Sequence, residues 1–176
     1  MKESVMQRAA LLDANPGPDW SVGGVADFDR DGYSDILLVH KDGDLGVWFM
    51  RGEKRLSAAF LSLSNAGDAK WKVMGAADFG ADGYPDFLWQ HDDGALAIWH
   101  MDGLTLKKAE LLERDVSTDP LWRVAALADL DNNGTSDLVF QRSDGCLAAW
   151  LPSNSLTPLV FLPIQSLILR LVWRFW

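Results

Sequence analysis

Trp20-Ser-Val-Gly-Gly-Val-Ala-Asp-Phe-Asp-Arg-Asp-Gly-Tyr-Ser-Asp35 is written into this chain three times. It recurs from Trp71 to Asp86 and from Trp122 to Asp137, each copy 51 residues after the last. A second tryptophan keeps the period at Trp48, Trp99 and Trp150, and so does a turn glycine at Gly43, Gly94 and Gly145. A fixed period of this size marks a repeat architecture in which each copy is one supersecondary unit that buries its apolar surface against its neighbours.

Working outward from the quoted stretch, each unit reads as four short strands. The first opens at the tryptophan, over Trp20–Val25, Trp71–Ala76 and Trp122–Leu127. An Asp-rich loop follows. The second strand leaves that loop as the apolar runs Asp35–Val39, Asp86–Gln90 and Asp137–Gln141, short enough to be strands covered on both faces. An Asp-Gly pair then turns the chain at Asp42-Gly43, Asp93-Gly94 and Asp144-Gly145, a strong hairpin signal because glycine takes positive φ without a Cβ clash. The third strand is Leu45–Phe49, Leu96–His100 and Leu147–Leu151, and a looser fourth is expected over Ser57–Leu63, Lys108–Leu112 and Thr157–Leu162. Four antiparallel strands per copy describe a propeller blade, and no helical spacing of apolar residues is sustained.

The expected fold is therefore all-β. One repeat domain spans 1–176, with blade units at about 20–70, 71–121 and 122–172. Residues 1–19 are expected to carry a strand of a preceding unit, at Ala9–Leu12, and 173–176 the start of a fourth, at Trp173. Closed propellers have four to eight blades, so the expectation is an incomplete propeller, or one completed by self-association with flanking strands pairing across chains. The apolar tail from Leu156 to Trp176 contains Pro158, Pro163, Arg170 and Arg174, which favours a strand or interface segment over a membrane helix.

The formal net charge of −9 excludes a nucleic-acid partner, which rewards cations facing phosphates, and an anionic membrane surface. The single cysteine, Cys146, forms no intrachain disulfide and is expected as a small apolar filler in a strand. The N-terminal residues lack the apolar stretch of a secretion signal.

Much of the acid lies in the three loops. In Asp27-Phe-Asp-Arg-Asp-Gly-Tyr-Ser-Asp35, side chains at positions 1, 3, 5 and 9 are Asp27, Asp29, Asp31 and Asp35. Gly32 stands at position 6, where the chain turns sharply, and Tyr33 offers its carbonyl at position 7. This is the ligand spacing of a calcium loop, in which alternate side chains of a curled segment converge on one hard cation that takes six to eight oxygens. Magnesium, which demands a tighter octahedron, is second choice. The third loop keeps every position as Asp129, Asp131, Asn133, Asp137 and the Thr135 carbonyl. The second retains Asp78, Asp82, Asp86 and the Tyr84 carbonyl but has Gly80 at position 3. Up to three structural Ca²⁺ ions are expected, the second site the weakest. Asp and Gly also form turns without any ion, but three loops in register favour the metal.

For catalysis, His40, His91 and His100 are the only histidines, and none recurs in all three copies with a Ser or Cys partner. They read as exposed strand-end residues, and the chain as a non-enzyme. Trp48, Trp99 and Trp150 can stack on sugar rings, though tryptophans at equivalent places in stacked units are more often core. Trp89 reads as core.

The pattern Trp-x-Val-x-Gly-x-x-Asp-Phe-x-x-Asp-Gly-x-x-Asp-apolar-Leu, with Gly-x-(Leu/Ile)-x-x-Trp downstream, resembles the FG-GAP (VCBS-type) repeat from about Ala9 to Trp176. That resemblance implies a calcium-binding β-propeller like those of integrin α chains, some fungal lectins and many bacterial secreted proteins. It assigns the calcium roles to the same loop residues. It also implies an extracellular or cell-surface location and a binding or adhesion role with a glycan or protein ligand. The rival expectation is a scaffold or oligomerisation fragment of a larger secreted protein.

Overall fold

A computed structural model describes residues 9–12, 14–61, 68–112, 120–151 and 162–163. Among these, twelve strands form three antiparallel sheets and there is no helix. The first sheet is β1 (Trp20–Ala26), β2 (Asp35–His40), β3 (Leu45–Arg51) and β4 (Lys54–Phe60). The second is β5 (Trp71–Ala77), β6 (Asp86–His91), β7 (Leu96–Asp102) and β8 (Thr105–Leu111). The third is β9 (Trp122–Ala128), β10 (Asp137–Arg142), β11 (Leu147–Trp150) and β12 (Leu162–Pro163). Each sheet is a meander in chain order, as expected of propeller blades.

The turn between second and third strands repeats atom for atom. His40, His91 and Arg142 each donate their N–H to the residue four ahead, and the turn glycine donates back to them. Gly43, Gly94 and Gly145 hold φ between 90° and 95°, the left-handed conformation that the Asp-Gly pairs announce. A bulge interrupts the first strand at one place in every blade, between Val22 and Gly24, between Val73 and Gly75, and opposite Val139 and Phe140. Bulges at one frame position bend each first strand alike.

The first strands lie side by side at the centre. A methyl on Gly24 would sit 3.1 Å from the Ala76 backbone nitrogen, and one on Gly75 would sit 2.8 Å from Leu127 Cδ1. These glycines let β1 approach β5, and β5 approach β9, more closely than a side chain permits. From that axis the sheets stack face on face. Leu37, Leu45, Val47 and Phe28 of the first blade bury against Phe87, Trp89, Trp99 and Met101 of the second. Leu88, Leu96 and Ile98 of the second then bury against Leu138, Phe140, Ala148 and Trp150 of the third. Odd and even positions of each second strand thus serve opposite neighbours, which explains their continuous apolar runs. Gln90 adds a polar clamp between second and third blades, its Nε2 donating to Trp122 O at 3.1 Å and its Oε1 accepting from Val124 N at 3.0 Å.

Three expectations are corrected, and one irregularity of the repeat is new. The fourth strands of the first two blades begin at Lys54 and Thr105, three residues earlier than expected, because Gly52 and Gly103 (φ 63° and 59°) make a second tight hairpin after each third strand. In the third blade β12 pairs Ala148 with Pro163. The register Ala97↔Leu111 carried forward one period would pair Ala148 with Leu162, so the third blade is displaced by one residue. Residues 9–12 make no strand; a fourth strand exists by its ladder to a third, and no such ladder reaches them among the described residues. Cys146 is exposed, at the mouth of the turn where the other blades have Asp44 and Ala95. The fourth unit expected at Trp173 lies outside the described residues, as does the apolar tail apart from 162–163.

Leu45, Leu96 and Leu147 share one frame position, and the neighbouring blade decides their burial: the first two are 1% exposed, Leu147 42%. Leu96→Ala is expected to cost about 2–5 kcal/mol as a core truncation, and Leu147→Ala less than about 1 kcal/mol. Urea denaturation of the two variants beside the parent checks this, and equal losses would show that blade stacking does not supply the core.

Candidate metal centres

Each Asp loop is wound by its own side chains. Asp27 accepts from Asp31 N (3.1 Å) and Gly32 N (2.8 Å), Asp29 from Asp31 N (3.2 Å), and Asp31 from Tyr33 N (2.9 Å). The third loop repeats the pattern: Asp129 accepts from Asn133 N and Gly134 N, Asp131 from Asn133 N, and Asn133 from Thr135 N. In the second, Asp78 takes Asp82 N and Gly83 N, and Asp82 takes Tyr84 N. The curl requires left-handed backbone at positions 4 and 6: Arg30, Ala81 and Asn132 at φ 62°, 54° and 59°, and Gly32, Gly83 and Gly134 at 86–88°. A non-glycine residue there is strained, and the Asx turns hold it.

Position 9 is the deepest. Asp35, Asp86 and Asp137 are at most 1% exposed. Asp35 accepts from Phe28 N (2.9 Å) and from Met50 N on β3 (2.8 Å), so it staples the loop to the third strand. Asp86 does the same with Phe79 N (3.0 Å) and Met101 N (2.8 Å). Asp137 accepts from Leu130 N at 2.6 Å, but its Oδ1 is buried with no hydrogen-bond partner among the described residues. The frame position of Met50 and Met101 is Pro152 in this blade, and proline has no N–H.

The structure gathers carboxylates in two loops. Asp27, Asp29 and Asp35 each place an oxygen within 4.8 Å of the others, and so do Asp129, Asp131 and Asp137. Asp31 stands outside the first trio, with one oxygen held by Tyr33 N and the other 3.7 Å from Arg51. No such trio forms in the second loop among the described residues. Burial raises the Asp35 carboxyl above the ordinary range, and the Asp29 and Asp27 charges push the same way against two backbone hydrogen bonds. Asp137 is raised likewise by burial, with Asp131 and Asp129 adding to it. Such clusters of oxygen donors fit a hard cation. Among the described residues nothing satisfies the buried Asp137 Oδ1.

The histidines are not free strand-end groups. His40 and His91 stack on Trp20 and Trp71 (ring centroids 4.9 and 5.1 Å), each a cross-strand pair. Arg142 takes the same place over Trp122 at 5.2 Å. His100 lies beside the second loop, its Nδ1 3.2 Å from Asp86 Oδ2, a neighbour that spacing within the loop does not reveal. Trp48, Trp99 and Trp150 are 8%, 6% and 6% exposed, buried in the core between or on the blades, with Arg55 laid over Trp48 at 4.8 Å. Trp89 is core, paired with Trp99 at 4.7 Å.

Between the first and second blades lies a cleft of about 490 Å³, lined by Val39, His40, Trp71, Val73 and Trp89. Val39 occupies the frame position of Gln90, so the hydrogen-bonded clamp of the next inter-blade seam has no counterpart here. Trp89 Nε1 is buried without a partner among the described residues.

Comparison with curated proteins and with solved structures returned no match. The profile of the FG-GAP-like repeat matches residues 27–89 and 78–140, each match running from one Asp loop through the next blade's second strand. With three meander blades stacked in that frame, the chain belongs to the FG-GAP-like repeat family and is a repeat module of β-propeller type.

Proposed function

We propose that this chain is a calcium-stabilised propeller module of an extracellular binding or adhesion protein, without catalytic activity of its own. The observation that carries it is the convergence, twice, of three carboxylates onto one point. Without a cation those charges repel at short range. With one they bridge the first and second strands of a blade. Asp27, Asp29 and Asp35 with the Tyr33 carbonyl would hold one ion, and Asp129, Asp131, Asn133 and Asp137 with the Thr135 carbonyl the other, water completing each shell. The cleft beside Trp89 is the place where such a module would take a glycan or peptide, since the three repeated tryptophans are buried.

A metal that binds the folded chain alone raises its stability in proportion to occupancy. Millimolar calcium is expected to raise Tm by several degrees over EGTA, and Asp29→Ala, at an exposed ligand, to remove about half of that gain. An unchanged Tm in EGTA would refute the reading. The pH dependence follows from the raised carboxyls. In EGTA the folded state binds protons at Asp35 and Asp137 more tightly than the unfolded state does, so these groups destabilise it above their folded pKa and cease to do so as pH falls through it. Protons also displace the metal. The calcium-minus-EGTA gap in Tm is therefore expected to shrink from pH 7 towards pH 4; a gap that widens would contradict the assignment.

A second reading, scaffolding by self-association, is favoured by the terminal faces. On the third blade Leu130 and Leu147 are exposed, whereas Phe28, Leu45 and Leu96 at their frame positions are buried by the next blade. On the first blade Trp20, Leu38, Trp48 and the exposed Phe60 line a groove of about 320 Å³, on the face that in the second blade receives its predecessor. The two faces repeat the halves of the internal seams, so a second copy docking third blade to first is the proposed partner, a head-to-tail contact. Sedimentation at micromolar to millimolar concentration is expected to show association that Leu147→Asp abolishes. A clean monomer throughout would reject it.

A further inference from the structure

We infer that the second Asp loop keeps its shape without a metal because His100 occupies the place a cation takes in the other two, and that residues 80 and 100 together make this choice. The inference rests on the reading of the first and third loops as calcium sites.

Two departures from the repeat meet at this point. Position 3 of the loop is Asp29, Gly80 and Asp131 in the three blades. The residue that follows Trp48, Trp99 and Trp150 is Phe49, His100 and Leu151, and in the second blade it faces the loop, His100 Nδ1 lying 3.2 Å from Asp86 Oδ2. The blade that lacks the carboxylate is thus the one that gains an imidazole, and the two sites touch: a side chain begun at Gly80 would lie 3.7 Å from His100 Nδ1 and 3.6 Å from Asp86 Oδ2. The imidazole stands where an Asp at position 80 would bring its ligand.

The lone pairs of Asp86 are correspondingly taken. Its Oδ2 faces three nitrogens, Phe79 N and Gly80 N at 3.0 Å each and His100 Nδ1 at 3.2 Å. Its Oδ1 accepts from Met101 N at 2.8 Å. A carboxylate offers about four lone-pair sites, so little remains for an ion. Asp137, by contrast, leaves Oδ1 unpartnered among the described residues. His100 is itself held from the other side, with Nε2 3.4 Å from Glu110 Oε2 and Lys108 Nζ 2.6 Å from the same oxygen. This chain of alternating groups fixes the ring over the loop.

An arginine covers the loop from outside. Arg30 crosses from the first loop to lie over the Tyr84 ring at 4.8 Å, close enough to Gly83 that a Cβ there would meet its guanidinium at 3.1 Å. The frame position of Arg30 is Ala81 in the second loop, so no equivalent arm extends toward the third. In this one blade, side-chain and backbone nitrogens occupy the oxygens that the other loops would offer to an ion.

The test is the number of calcium ions bound by the full chain, measured by calorimetric titration, beside the variant Gly80→Asp/His100→Phe, which writes the first blade's residues into the second. Two ions in the parent and three in the variant are expected. Three in the parent would overturn the inference and leave the calcium reading intact. None in either chain would overturn that reading and the inference with it. A folded variant that still binds two would show that these residues do not decide the site. If the double variant fails to fold, His100→Gln serves instead. It is expected to lower Tm equally in calcium and in EGTA. A loss that calcium repairs would mean the second loop binds an ion after all.

Discussion

A carboxylate removed from water must find donors or a cation, or the fold that buries it is penalised by several kcal/mol. Asp35, Asp86 and Asp137 open the second strand of each blade at almost zero exposure, and the surrounding structure answers that demand. The Asp loop curls so that its own amides reach the buried oxygen. The third strand supplies an N–H from Met50 or Met101. In doing so the carboxylate ties loop, second strand and third strand into one unit, which makes the blade more than a meander held by its ladder.

The three blades meet the demand differently. The first adds carboxylates at positions 1 and 3 and fits an ion. The second drops one carboxylate and brings in His100. The third leaves one oxygen of Asp137 without a protein donor among the described residues. One repeat thus carries three versions of a single electrostatic problem, and differences at a few positions shift the balance between protein donors and metal.

The same frame logic governs packing. Alternate residues of each second strand point to opposite neighbours, so Leu37 and Leu88 face forward while Phe87 and Leu138 face back. One seam is clamped by Gln90, and the other, with Val39 at that frame position, holds a cleft. Exposure of Leu147 is the same residue type at the same frame position, distinguished by whether a further blade stands in front of it.

Period, blade number, the three Asp loops and the Asp-Gly hairpins were legible in the sequence because each depends on local chemistry: positive φ at glycine, Asx turns, and apolar runs between them. The fourth strands begin earlier than the sequence suggests because Gly52 and Gly103 turn the chain tightly after each third strand, and only the second of these turns has an Asp-Gly pair, Asp102-Gly103, to announce it. The exposure of Cys146 is not legible in the sequence because small apolar residues look alike whether they fill a strand or sit at a turn mouth. What only the tertiary structure decided are the meetings between distant residues. His40 pairs with Trp20 across a ladder, Trp99 packs into a seam between sheets, and His100 reaches Asp86 from the adjacent strand. Which acidic loops gather three oxygens, and which has an imidazole in their place, depends on side chains that approach through folding rather than along the chain, and a repeat read one loop at a time does not contain that information.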